Sequence, residues 1–250
     1  MILYEYPLNE RIRTYLRLEC LFDRLFFFAD EKDAYHHQVA VATLFDLLDA
    51  IERSEVKTAV LQDLDRQRLA LVALRGHPGV SSEALEEMLG TLEATVAALG
   101  AQGRAGQPLR ENEWLISLRG RLALPSGAMP ADMPSYHAWQ HRPATDRTAD
   151  LQTWIAPLRP LYDAVSMALR LLRESGRRSD SVAPEGSYQQ MLTGKPFQLL
   201  RVWVDPSQDA FPESSANKHM IWIRFSTQSG ESKPHAIVRD VNFQIALCGA

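Results

Sequence analysis

Ser175-Gly176-Arg177-Arg178-Ser179-Asp180-Ser181-Val182-Ala183-Pro184-Glu185-Gly186-Ser187 separates two kinds of sequence. The stretch itself is rich in Ser, Gly and Arg and reads as a linker. Beyond it, apolar residues recur with a period of two. Phe197 to Val204, Met220 to Phe225 and Val241 to Leu247 read as strands, with a weaker one near Tyr188 to Leu192.

Before the linker the period is helical. Ile12, Tyr15, Leu16, Leu18, Phe22, Leu25 and Phe26 predict a helix near 9–29, capped by Asn9 and stopped on its amino-terminal side by Pro7. Val41, Leu44, Phe45, Leu48 and Ile51 predict a second near 33–53. Ser54 is the candidate cap of a third helix reaching Arg75, where Gly76-His77-Pro78-Gly79 forces a turn. Ser81 or Ser82 caps a fourth that ends at Gly100, and Gly103 to Pro108 reads as a loop. A shorter helix near 111–122 carries Trp114, Leu115, Leu118 and Leu122. Pro125, Gly127, Pro130 and Pro134 make 123–135 irregular, and a helical stretch near 146–175 should kink or divide at Pro157 and Pro160. A helical bundle followed by an antiparallel sheet is an α+β fold. The expected domains are a mainly helical one over 1–180, in which 105–140 are candidates to pack on the sheet, and a β-sheet domain over 181–250.

Composition limits the function. With 46% hydrophobic and 23% charged residues, the 250-residue chain can build a sizeable core. The net charge of −4 is unevenly spread. Residues 1–100 hold 10 Lys/Arg against 17 Asp/Glu, 101–180 hold 11 against 8, and 181–250 hold 6 of each. That distribution argues against a general nucleic-acid binder but leaves room for a local basic site. Cys20 and Cys248 form no CxxC pair, and a reducing cytoplasm suits them. The opening residues lack a basic leader, and Leu21 to Ala29 is too short and too charged to span a bilayer. No GxSxG, GxxxxGK[ST] or GxGxxG occurs, so no enzyme class, cofactor or metal is indicated.

Alternation places Phe197, Leu199, Arg201 and Trp203 on one face of their strand. It likewise groups Met220, Trp222 and Arg224, with Ile221, Ile223 and Phe225 opposite. Each strand so offers a Trp and an Arg, the commonest interface hot-spot types, two residues apart on one side. Arg forks onto carboxylates, so such a face suits a peptide with acidic and apolar residues. The competing reading packs this face on the helical domain, with Arg stacked over Trp. His137 and His141 stand four apart, a spacing that could bind metal from a helix, but HExxH is not completed and no third ligand is nearby in sequence. His36-His37 reads as a solvated helix start. In Phe26-Phe27-Phe28 one ring must point off the main stripe, toward another element or a second subunit.

Tyr4-Glu5-Tyr6-Pro7-Leu8-Asn9-Glu10-Arg11-Ile12-Arg13-Thr14-Tyr15-Leu16-Arg17-Leu18-Glu19 is the most specific stretch of the chain. Leu61-Gln62-Asp63-Leu64-Asp65-Arg66-Gln67, Leu118-Arg119-Gly120-Arg121-Leu122, His137-Ala138-Trp139-Gln140-His141, Thr153-Trp154-Ile155, Tyr188-Gln189 and Ile221-Trp222-Ile223-Arg224-Phe225 follow in order over nearly the whole chain. In order and spacing these segments resemble the ZapD family of cell division proteins. Two departures are Ser126-Gly127, where the family has a glycine pair, and the extreme carboxyl end. The resemblance implies a non-enzymatic homodimer of helical and β domains. It implies binding to the carboxyl-terminal tail of the tubulin-like protein FtsZ, filament crosslinking, and a cytoplasmic place at the mid-cell division site. It also implies a basic pair at Arg119 and Arg121. With these, the candidate tail-binding residues are Arg119, Arg121, Arg201, Trp203, Lys218, Trp222, Arg224 and Arg239. Nucleic-acid binding and membrane insertion are not expected. A metal-dependent enzyme using His137 and His141, or a nucleic-acid module on the basic residues of 101–180, are the alternatives.

Overall fold

The Asn9 side chain accepts the Ile12 N–H at 2.9 Å and opens α1 (Glu10–Asp30), as its spacing predicts. The computed structural model describes residues 1–52, 55–125, 128–192, 194, 196–228, 230 and 232–249. α2 (Ala34–Glu52), α3 (Val56–Val72) and α4 (Ser82–Ala101) follow α1. Ser81 caps α4 through the Ala84 N–H, whereas Ser54 lies outside the described residues, as do Ser126 and Gly127. α6 (Glu113–Leu122) is capped by Asn112. α8 (Ala144–Ile155) and α9 (Arg159–Glu174) are divided by a 3-10 turn over Ala156–Leu158 that contains Pro157. Two short helices are additions to the sequence reading. α5 (Gln107–Arg110) begins in the last two residues of the expected loop, and α7 (Pro134–Gln140) begins at the end of the expected irregular segment. Each is short enough to show no periodicity, and each carries a Pro in its first turn, where the missing N–H costs nothing.

Residues 14–168 form one compact unit, and 1–13 with 169–250 form the other. The helical unit buries the stripes that periodicity marks: Tyr15, Leu18, Phe22 and Leu25 on α1, Val41, Leu44 and Leu48 on α2. Of the three consecutive phenylalanines, Phe27 is the one off the stripe, 63% exposed.

His37 corrects the solvated reading of the histidine pair. His36 is half-exposed near Glu31, but His37 is fully buried. The Arg147 Nε–H donates to its Nδ1 at 3.1 Å, so the ring proton sits on Nε2 and is donated to the Glu31 carbonyl at 2.5 Å. Arg147 is itself buried and donates further to the carbonyls of Lys32, Gln140 and Arg142. One guanidinium thus satisfies carbonyls of the α1–α2 turn and of the α7 end. Burial, with the neighbouring Arg147 cation adding to it, pushes the His37 pKa below its ordinary 6.5. The unfolded chain therefore takes up a proton that the folded chain refuses. Stability contributed above pH 6.5 is lost as pH falls through that value toward the lower folded pKa. Melting temperatures measured from pH 8 to pH 5 should fall along that course. His37→Asn should lower stability at pH 8 and flatten the slope, because Asn offers Arg147 an acceptor that does not titrate.

The sheet unit carries β1 (Ile2–Pro7), β2 (Ser179–Ala183), β3 (Ser187–Met191), β4 (Leu199–Val204), β5 (Phe211–Ala216), β6 (Met220–Thr227), β7 (His235–Ala236) and β8 (Val241–Cys248). They form two antiparallel sheets, ordered β1-β4-β8-β2 and β3-β6-β5, with β7 also on β6. Leu200, Val202 and Val204 of β4 and Val241, Phe243 and Ile245 of β8 share one core with Ile221, Ile223 and Phe225 of β6. The sheets therefore pack face to face, and the Phe225 and Phe243 rings meet at 5.1 Å. The Tyr6 hydroxyl donates to the Pro212 carbonyl and ties β1 to β5 across the sandwich.

β2 overturns the linker reading of Ser175 to Ser187. It is an edge strand, paired only with β8 in its sheet, and its Ser-Asp-Ser start has the polar composition an edge tolerates. β1 and β5 were equally unread. β1 pairs Ile2 with Val204, a partner at the far end of the sequence. β5 contains Pro212, which an edge strand accepts but which hides the strand pattern.

Candidate functional site

Both Trp/Arg couples take the faces that alternation assigns, but the sandwich sends them in opposite directions. The inner residues of β4 and β6 face each other, so Arg201 and Trp203 lie on the outer face of the first sheet and Trp222 and Arg224 on that of the second. The structure does not bring Arg201 and Arg224 together. Phe197 lies ahead of β4 and packs against the core rather than joining the Arg face.

On the first sheet the cations are engaged. Glu5 of β1 stands directly opposite Arg201 and receives its Nε–H at 2.8 Å. It also receives Arg173 of α9 at 2.6 Å and 2.9 Å. All three side chains are at most 23% exposed. The Arg201 guanidinium lies over the Trp203 ring at 4.8 Å, and that of Arg178 at 4.5 Å. The Arg-over-Trp stacking of the competing reading describes the contact here, and Arg201 braces the sheet.

On the second sheet they are open. An open groove of about 470 Å³ runs over the outer face, lined among others by Ser187, Gln189, Glu213, Ser215, Trp222 and Arg224. Register explains the lining. Arg224 stands between Ser187 of β3 and Glu213 of β5, and Trp222 between Gln189 and Ser215. Arg224 is exposed and has no ion pair among the described residues; Trp222 is 36% exposed. A free guanidinium two residues from a presented indole, between hydrogen-bonding side chains, can receive a carboxylate and an apolar group together.

The remaining candidates are scattered. Lys218 is exposed in the β5–β6 turn, which Asn217 holds by accepting the His219 and Met220 N–H groups at 2.8 Å and 2.9 Å. Arg239 precedes β8 and donates to the Gln208 carbonyl. Arg119 and Arg121 occupy the last turn of α6 in the helical unit. Arg119 is paired with Asp49 of α2, while Arg121 is exposed with no ion pair among the described residues.

The His137 and His141 rings lie 4.4 Å apart on the surface, and no group of three or more His, Cys, Asp or Glu that could hold a metal occurs among the described residues. Many cations of 101–180 have internal partners. Arg104 meets Glu52, Arg142 meets Asp150, and Arg110 and Arg147 bind carbonyls. That use of charge does not make a phosphate-binding stripe. Sequence reasoning also missed a second groove of about 390 Å³ in the helical unit, walled by Trp114, Trp139 and Trp154. The three tryptophans sit on three different helices, so no spacing within one helix reveals them. Among the described residues no helix is long and apolar enough to cross a membrane.

The sheet unit is thus a β-sandwich with an open groove on one outer face. The sequence model of the ZapD family, described as a cell division protein, matches residues 16–224. The chain is 71% identical over 250 residues to the cell division protein ZapD of Bordetella petrii, covering all of both chains. It is 68% identical to that of Bordetella pertussis over all of this chain and 99% of the relative. It is 51% identical to that of Janthinobacterium sp. (strain Marseille) over 99% of each chain. The chain belongs to the ZapD family of cell division proteins, and its role is in cell division.

Proposed function

We propose that this protein is a non-enzymatic adaptor that holds the carboxyl-terminal tail of FtsZ and crosslinks FtsZ filaments in the cytoplasm at the mid-cell division site. The observation that carries this reading is the exposed, unpaired Arg224 beside Trp222 in the groove of the second sheet. Membership of a cell division family supplies the setting. The tail mixes acidic and apolar residues, so the guanidinium and the indole each have a counterpart. Lys218 and the unpaired Arg121 add positive charge that steers an acidic partner, and Arg119 and Arg239 contribute less because each already has an internal partner. Arg201 and Trp203 support the first sheet and leave recognition to the second. A homodimer carries two equal sites, which suffices to bridge two filaments.

Sedimentation with FtsZ polymer tests the reading. The protein should pellet with polymer and convert single filaments to bundles seen by electron microscopy, less so as salt is raised, because exposed charges are screened over about 8–10 Å near physiological ionic strength. Protein that stays in the supernatant at low salt, with filaments left single, would refute it.

A further inference from the structure

Glu213 is the groove residue that a purely acidic ligand leaves unexplained. It stands on β5 directly opposite Arg224, both on the outer face and both exposed. Opposite charges so placed on adjoining strands commonly pair. Here they do not: the Glu213 Oε2 accepts the Ser226 hydroxyl at 2.8 Å, and Arg224 has no ion pair among the described residues. The groove therefore offers an open cation and an open anion side by side, one strand spacing of about 4.8 Å apart. A run of carboxylates laid on Arg224 would bring like charge up to Glu213 on the adjoining strand and be repelled by it.

We infer that the groove takes an extended peptide segment of mixed charge: a carboxylate on Arg224, a Lys or Arg within one or two residues of it on Glu213, and an apolar side chain on Trp222. Ser187, Gln189 and Ser215 are the polar rim that can meet its backbone. This rests on the reading of the groove as the FtsZ tail site and adds Glu213 as a residue that sets specificity. A polyacidic segment is rejected by Glu213, and a polybasic one by Arg224.

The test titrates a fluorescently labelled FtsZ tail peptide with the full-length protein and follows anisotropy. Glu213→Gln removes the charge but keeps an acceptor for Ser226. It should weaken binding about threefold, the worth of one exposed charge pair, and Glu213→Lys should weaken it more. Exchanging the peptide's Lys and Arg residues for Gln should weaken binding to the parent by a like factor and leave Glu213→Gln unaffected. If Glu213→Gln binds as tightly as the parent or tighter while Arg224→Gln loses the peptide, the mixed-charge inference fails and the tail site stands. If the parent does not bind the peptide, the tail site itself fails.

Discussion

Arg224→Glu is expected to abolish FtsZ bundling while the protein melts as the parent does. The substitution replaces an exposed, unpaired guanidinium with a carboxylate, next to Glu213 and opposite Ser187. No ion pair among the described residues depends on that cation, and the new carboxylate faces Glu213 at an exposed position, so folding should change by no more than about 1 kcal/mol. Binding loses a charge contact and gains a repulsion, on the order of 2–5 kcal/mol, which is roughly thirtyfold or more in affinity. Arg201→Glu is the matched comparison, and the two should differ in kind. Arg201 is 19% exposed and pairs with Glu5, so reversal sets two carboxylates against each other beside the single cation of Arg173. Its expected signature is a loss of about 3 kcal/mol of stability, read as a fall in the melting temperature, with any loss of bundling following the loss of fold. If instead Arg201→Glu folds normally and fails to bundle while Arg224→Glu still bundles, recognition lies on the first sheet.

These two arginines show how much of the site sequence could give. Alternation correctly put Arg201 beside Trp203 and Arg224 beside Trp222, because period two is a local property of a strand. It could not tell that β4 and β6 belong to different sheets facing each other, which is a matter of pairing between segments distant in sequence. Nor could it tell that Glu5, near the chain start, would engage Arg201. The fold class was legible for the same reason that the sites were not: long helices and central strands write their periodicity into the chain. Edge strands do so weakly, since half of their hydrogen-bonding groups and much of their surface face away from the sheet: β3 shows only a faint pattern, and β1, β2 and β5 show none that reads as a strand. His37 is a further case. Adjacent to a half-exposed His36, it differs only in the helix face it takes, and its partner Arg147 lies 110 positions away.

Arg147→Met should cost about 3–5 kcal/mol of stability. Methionine retains the length of the stem but none of the donors. The carbonyls of Lys32, Gln140 and Arg142 and the Nδ1 of His37 would all lose their hydrogen in a site where the wild-type side chain is only 6% exposed. Arg147→Lys should rescue little, because a single ammonium on a flexible stem cannot serve acceptors spread around a planar guanidinium. Urea unfolding followed by tryptophan fluorescence reports this directly, as the Trp139 ring lies 6.2 Å from His37. A parent-like midpoint for Arg147→Met would mean that water takes over the carbonyls and that the clamp holds nothing.

The pairing of β1 with β4 has a consequence for how the chain is made. Ile2 lies against Val204 and Pro7 against Leu199, so β1 leaves the ribosome roughly two hundred residues ahead of the strand it pairs with. At roughly 5–20 residues per second, that partner is translated about 10–40 s later. Throughout that interval Ile2, Tyr4 and Tyr6 have no sheet to enter, while the helices of 14–168 contain all the residues they need to close. β1 is therefore made early and placed late, and it waits as an unmatched strand that a chaperone can hold or a neighbouring nascent chain can capture.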